Sequence, residues 1–104
     1  MELALDGRTA LVTGGSKGIG KAIAKGFADA GAKVMITSRK AEVCESAADE
    51  IGGGCEWEAG NVGDPEHMEQ AIDRTIELFG GVDILVNNAA VSYTHLTLPT
   101  NREV

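Results

Sequence analysis

Thr13-Gly14-Gly15-Ser16-Lys17-Gly18-Ile19-Gly20 is the stretch that decides the fold. It follows a short apolar segment, Thr9-Ala10-Leu11-Val12, and opens an amphipathic run in which Ile19, Ile23 and Phe27 recur at four-residue intervals. The pattern is a strand, a glycine-rich turn and the first turn of a helix. Such a junction suits a pyrophosphate, because glycines let the backbone approach the ligand closely. The unpaired N–H groups and the positive dipole end of the helix then face the anion. Gly14 is expected to make the turn, while Gly18 and Gly20 permit close ligand approach and helix–sheet packing. Ser16 and Ile19 line the loop, and Lys17 adds a cation within it. The spacing is Thr-Gly-x-x-x-Gly-x-Gly, not the commoner Gly-x-Gly-x-x-Gly.

Working outward, strand and helix signals alternate. The first strand falls near residues 8–13, and the helix from Gly18 to about Ala30 is stopped by Gly31. Lys33-Val34-Met35-Ile36-Thr37 reads as a second strand. A helix from Ala41 to Ile51 buries Cys44, Ala47, Ala48 and Ile51, and Gly52-Gly53-Gly54 ends it. Cys55-Glu56-Trp57-Glu58 is a weaker third strand of alternating polarity. Asp64 is a good N-cap and Pro65 fits the first helical position. Met68, Ala71, Ile72, Thr75, Ile76 and Phe79 follow the helical rhythm up to Gly80-Gly81. Val82-Asp83-Ile84-Leu85-Val86 reads as a strand buried on both faces. The order βαβαβαβ predicts an α/β fold, an open parallel sheet of strand order 3-2-1-4 with helices on both sides. This is the first half of a doubly wound (Rossmann) nucleotide-binding domain.

At 104 residues the chain is one small domain or part of one. No apolar run reaches transmembrane length, and no basic segment leads into an apolar one at the N-terminus. A net charge of -7 argues against nucleic acid or an anionic membrane as a general partner, though not against a nucleotide bound at a local positive patch. Cys44 and Cys55 have neither CxxC nor metal-site spacing and read as reduced thiols, which makes a cytoplasmic protein the default expectation. No metal site is expected.

The glycine-rich run, taken with Asn87-Asn88-Ala89-Ala90 at the end of the fourth strand, resembles the short-chain dehydrogenase/reductase family over residues 5–90. Its general appearance is similar to the 3-oxoacyl-(acyl-carrier-protein) reductases. The resemblance implies an oxidoreductase moving hydride between a nicotinamide and a carbonyl or alcohol on a small molecule, in a parent protein that is a homo-oligomer. It also implies that Asn87 fixes the central sheet and the cofactor ribose, and that Ala89 lies along the nicotinamide ribose. Asn61-Val62 stands where the family often has Asp-Val, and there Asn61 and Val62 would contact the adenine. A turn-making role for Asn61 is the plainer alternative. Ala90 replaces the family's usual glycine.

The end of the second strand bears on the cofactor. Nicotinamide proteins that take NAD place an acid there for the ribose hydroxyls. This chain has Ser38, then Arg39 and Lys40, with no acid before Glu42. A carboxylate would repel a 2′-phosphate, whereas a guanidinium grips it with paired, charge-assisted hydrogen bonds. NADP(H) is therefore favoured, NAD(H) remaining open.

Other residues read as structural. His67 is expected on the surface of its helix, Trp57 to pack, and the acids around Asp49-Glu50 and Glu66-Glu69 to face solvent. After Ala90 the family pattern breaks off. Residues 91–104 resemble one reading frame of a transposon-derived sequencing-library adapter, and the expectation is an artefactual tail outside the dinucleotide-binding domain of residues 1–90. His95 belongs to that tail. The family's acid/base tyrosine and the lysine four residues after it are not found: Tyr93 is followed at that spacing by Thr97, so Ser92-Tyr93 is no catalytic pair. No catalytic residue is assigned, and the 104-residue chain is expected to be inactive. The rival readings are a non-catalytic nucleotide-binding or interaction module and a product with no biological role.

Overall fold

The computed structural model describes residues 4–61 and 63–88. Its elements are β1 (Thr9–Thr13), α1 (Gly18–Asp29), β2 (Lys33–Ser38), α2 (Ala41–Ile51), β3 (Glu56–Ala59), α3 (Pro65–Phe79) and β4 (Ile84–Asn87). All strand pairs are parallel and the sheet order is β3-β2-β1-β4, as the alternation predicts. Thr13 of β1 is in register with Thr37 of β2 and with Asn87 of β4. The carboxyl ends of three strands therefore finish side by side at one edge of the sheet. That edge is where an open α/β sheet binds its ligands.

The core forms where helix faces meet the two central strands. Leu11, Val12, Val34, Met35 and Ile36 are buried, and Ala24, Ala47, Ala48 and Ile51 close over one side of the sheet. Trp57 packs against the same cluster from β3, in keeping with a packing role. The expected face of α2 is borne out, with Cys44, Ala47, Ala48 and Ile51 all buried.

Two helices keep most of their expected inward face, with Ile23 and Phe27 packed against the core and Ala71 and Thr75 buried, but one member of each stripe is turned out. In α1 the buried positions are Gly20 and Ala24, while Ile19 is 73% exposed. The helix presents its smallest residues to the sheet, which lets its axis come close, and Ile19 is rotated out beside the glycine loop. In α3 the buried residues are His67, Ala71 and Thr75, and Ile76 is left 46% exposed. Asp64 caps this helix by accepting from the Glu66 N–H at 3.0 Å, and Gly80 ends it at a φ of 92°.

The third and fourth strands both begin later than expected. β3 begins at Glu56 rather than Cys55, since the Cys55 N–H closes a turn onto the Gly52 carbonyl at 3.1 Å. β4 begins at Ile84, because Asp83 is committed to β1 by two bonds. Its N–H donates to the Thr9 carbonyl and its carboxylate accepts from the Thr9 N–H, each at 2.9 Å. Within β4 only Val86 is fully buried, and Leu85 is 40% exposed, so the expectation of burial on both faces fails. β4 is an edge strand among the described residues, paired only with β1.

Candidate nucleotide site at the carboxyl edge of the sheet

The loop between β1 and α1 is shaped by its glycines. Gly14 and Gly18 sit at φ of 67° and 53°, backbone that other residues adopt only with strain. A side chain on Gly18 would meet nothing within 4 Å, so the backbone there lies open to an approaching ligand. Gly20 is different: a Cβ would collide with the Gly14 carbonyl oxygen and come within 2.5 Å of Asn88 Nδ2. Gly15, to which the sequence reading assigned no role, is equally constrained, because a Cβ would lie 2.6 Å from Ile36 Cγ2. No side chain caps α1 at Lys17, so the first turn of the helix is left for an external acceptor.

A short set of bonds holds this loop to its neighbours. The Gly14 N–H donates to the Thr37 carbonyl at 2.8 Å, and the Ser16 hydroxyl donates to the Ser38 hydroxyl at 2.9 Å. Lys17 and Arg39 directly follow those two serines and are both exposed. Among the described residues, neither Lys17, Arg39 nor Lys40 enters an ion pair. The site therefore offers an uncapped helix start and a bonded serine pair, with three exposed cations within two residues of those serines in the chain. Beneath it, burial pushes the Cys44 thiol above its ordinary pKa. Hydrogen bonding from the Ser38 backbone and side chain offsets part of that rise, and the nearby charge of Glu58 adds to it.

On the other side of β1, the Thr13 hydroxyl accepts from the Asn88 N–H at 2.9 Å and lies 3.1 Å from Asn87 Oδ1 and 3.3 Å from the Val86 carbonyl. Asn88 Nδ2 reaches the Gly14 carbonyl at 3.4 Å. Asn87 thus stands where it can fix the central sheet. Thr13 and Asn88 share that work, though the sequence reading gave neither a role. The signal for both was their place inside the two motifs that define the loop and the end of β4.

Asn61 is exposed, and its Oδ1 accepts from the Gly63 N–H at 2.8 Å, so it makes a turn. The NH2 end of its amide is not used by that turn. Val62, Ala89 and Ala90 lie outside the described residues, as does everything from Val91 to Val104, including Ser92, Tyr93, His95 and Thr97.

The expectation for His67 is overturned. It is 7% exposed, and its Nε2 is 2.7 Å from the Thr37 hydroxyl. Its position early in α3 brings it to the carboxyl end of β2 and the residue after β3, where Gly60 has no side chain to block the ring and Thr37 supplies a polar partner.

Comparison with known proteins agrees with this geometry. The model of the short chain dehydrogenase family matches residues 8–103. This chain belongs to that family. It is 42% identical over 99 residues to the 3-oxoacyl-[acyl-carrier-protein] reductase of Vibrio cholerae, covering 95% of this chain and 41% of that protein. It is 42% identical over 101 residues to the NADP-dependent (R)-specific alcohol dehydrogenase of Lentilactobacillus kefiri, covering 95% of this chain and 40% of that one. Among solved structures, a dehydrogenase/reductase from Sinorhizobium meliloti superposes with a TM-score of 0.80 at 46% identity, over 86% of this chain and 37% of the other. The chain spans about two fifths of the length of these curated relatives.

Proposed function

We propose that this chain is the NADP(H)-binding half of a reductase or dehydrogenase acting on a ketone or the corresponding secondary alcohol. The observation that carries the reading is the bonded Ser16–Ser38 pair, each serine followed directly by an exposed cation, Lys17 and Arg39, at a strand end that bears no acid. The glycine loop and the uncapped start of α1 would take the pyrophosphate, and Ile19 would lie against the ligand from the loop. Ser38 and Arg39 would take the 2′-phosphate with help from Lys17, Asn61 and Val62 the adenine, and Asn87 and Ala89 the nicotinamide ribose. When bound, the nicotinamide would give a hydride to the ketone in its reduced form or take one from the alcohol in its oxidised form. The residues of this chain bind and orient it, and none is assigned the accompanying proton transfer. The relatives named as a 3-oxoacyl reductase and an NADP-dependent alcohol dehydrogenase support both the carbonyl/alcohol class and the cofactor.

Calorimetric titration with NADP+ and NAD+ tests the reading. Wild type should bind NADP+ more tightly, and Arg39→Asp should reverse the preference. Replacing a charge-assisted phosphate contact by repulsion should weaken NADP+ binding about tenfold or more. Equal NADP+ affinity in the two proteins would remove Arg39 from the site.

A further inference from the structure

His67 lies in α3, yet it is buried and bonded to β2, three elements earlier in the chain. Its Nε2 is 2.7 Å from Thr37 Oγ1, and the edge of its ring that carries Nδ1 lies against the Cα of Gly60, so that a Cβ there would strike the imidazole. Both contacts fall on residues that support the candidate site. The Thr37 carbonyl accepts from the Gly14 N–H of the glycine loop at 2.8 Å, and the Gly60 N–H donates to the Ser38 carbonyl at 2.7 Å. Thr37 precedes Ser38-Arg39, and Gly60 precedes Asn61. One side chain therefore holds the two strand ends from which both adenosine-facing turns leave the sheet.

We infer that His67 is a positioning residue for the adenosine 2′-phosphate end of the nucleotide site, locking the ends of β2 and β3 together through Thr37 and Gly60. The inference rests on the NADP(H) reading and extends it to a residue that touches no ligand. The lock acts by preorganisation: if Ser38, Arg39 and Asn61 are already held, binding does not have to order them. An apolar residue at position 67 would keep the helix buried but release Thr37. The strand ends would then loosen, and the ligand would pay the ordering cost.

The probe is adenosine 2′,5′-bisphosphate, with 5′-AMP as the comparison lacking the 2′-phosphate, titrated calorimetrically into the 104-residue chain and its variants. His67→Leu should weaken binding of the bisphosphate by roughly threefold to tenfold, the range of one net hydrogen bond. His67→Gln, whose amide can reach the Thr37 hydroxyl, should restore most of it, a rescue that simple loss of packing would not show. Thr37→Val removes the other partner with little change of shape and should give the same loss. It also carries the test if His67→Leu does not fold. The double variant should be no weaker than either single one. If wild type does not prefer the bisphosphate to 5′-AMP, the cofactor reading itself fails and takes this inference with it. If wild type shows the preference and a folded His67→Leu or Thr37→Val binds the bisphosphate as wild type does, the inference about His67 alone is overturned.

Discussion

Two glycines in the same helix should respond to alanine with opposite signs. Gly20 and Gly26 both lie in α1, and neither has a positive φ, so helix propensity alone predicts that alanine stabilises at each. Their surroundings differ. At Gly20 a Cβ would overlap the Gly14 carbonyl oxygen and stand 2.5 Å from Asn88 Nδ2 and 2.9 Å from the Gly14 carbonyl carbon. Non-bonded carbons settle at about 3.5–4.0 Å, so the helix has to retreat from β1 by roughly 1 Å or push Asn88 away. Overpacking of this kind costs about 1–3 kcal/mol. It also strains the 3.4 Å bond from Asn88 Nδ2 to the Gly14 carbonyl, which ties the loop to β4. At Gly26 a Cβ meets nothing within 4 Å, and alanine should add about 0.5–1 kcal/mol. Urea denaturation followed by circular dichroism measures both. With a slope of about 1–2 kcal/mol per molar urea, Gly20→Ala should lower the midpoint by roughly 1 M and Gly26→Ala should raise it by about half as much. A shift of the midpoint in the same direction by both substitutions would show that the Gly20 contacts do not oppose a Cβ.

Thr13→Val should destabilise by about 1–3 kcal/mol in the same denaturation assay, because the Asn88 N–H loses its acceptor at a buried hydroxyl. Gly18→Ala has room for its methyl group but sits at a φ of 53°, so it should cost roughly 1 kcal/mol, and a stability equal to wild type would show that the loop relaxes. Burial, helped by the charges of Glu56 and Cys44, pushes the Cys55 thiol from 9.0 up to about 12. The folded state therefore favours the neutral thiol, and the resulting stability is present below 9.0 and lost as pH rises toward about 12. Cys55→Ala should flatten that decline, measured as thermal midpoints across the alkaline range.

Most of the fold was legible because its signals are local. Glycines mark the loop and the helix ends, Asp64-Pro65 marks the start of α3, and apolar rhythm marks the elements between them. Which side of a helix is buried was less legible. Ile19 continues the apolar stripe of α1, yet it faces outward because the sheet needs the small Gly20 and Ala24. His67 looked like a surface residue since its partner Thr37 is 30 positions away and the space for its ring exists only because Gly60 has no side chain. Gly15 escaped notice for the same reason: its constraint comes from Ile36 in the next strand. The shape of the glycine loop was readable, and of the contacts across the sheet only that of Asn87 was, through its place in a motif, whereas those of Thr13, Gly15 and His67 were not. Asn61 falls between the two, since the turn it makes with Gly63 was foreseeable from the sequence as an alternative to binding.

The most direct test is a titration of the isotope-labelled chain with NADP+, monitored by amide chemical shifts. The account predicts that the largest changes fall on residues 14–20, on Ser38 and Arg39, and on Asn61 and Asn87, with the outer faces of α2 and α3 unchanged. NAD+ should produce weaker changes that omit Arg39. Changes confined to the helix faces, or none at all at saturating NADP+ in a folded chain, would contradict it.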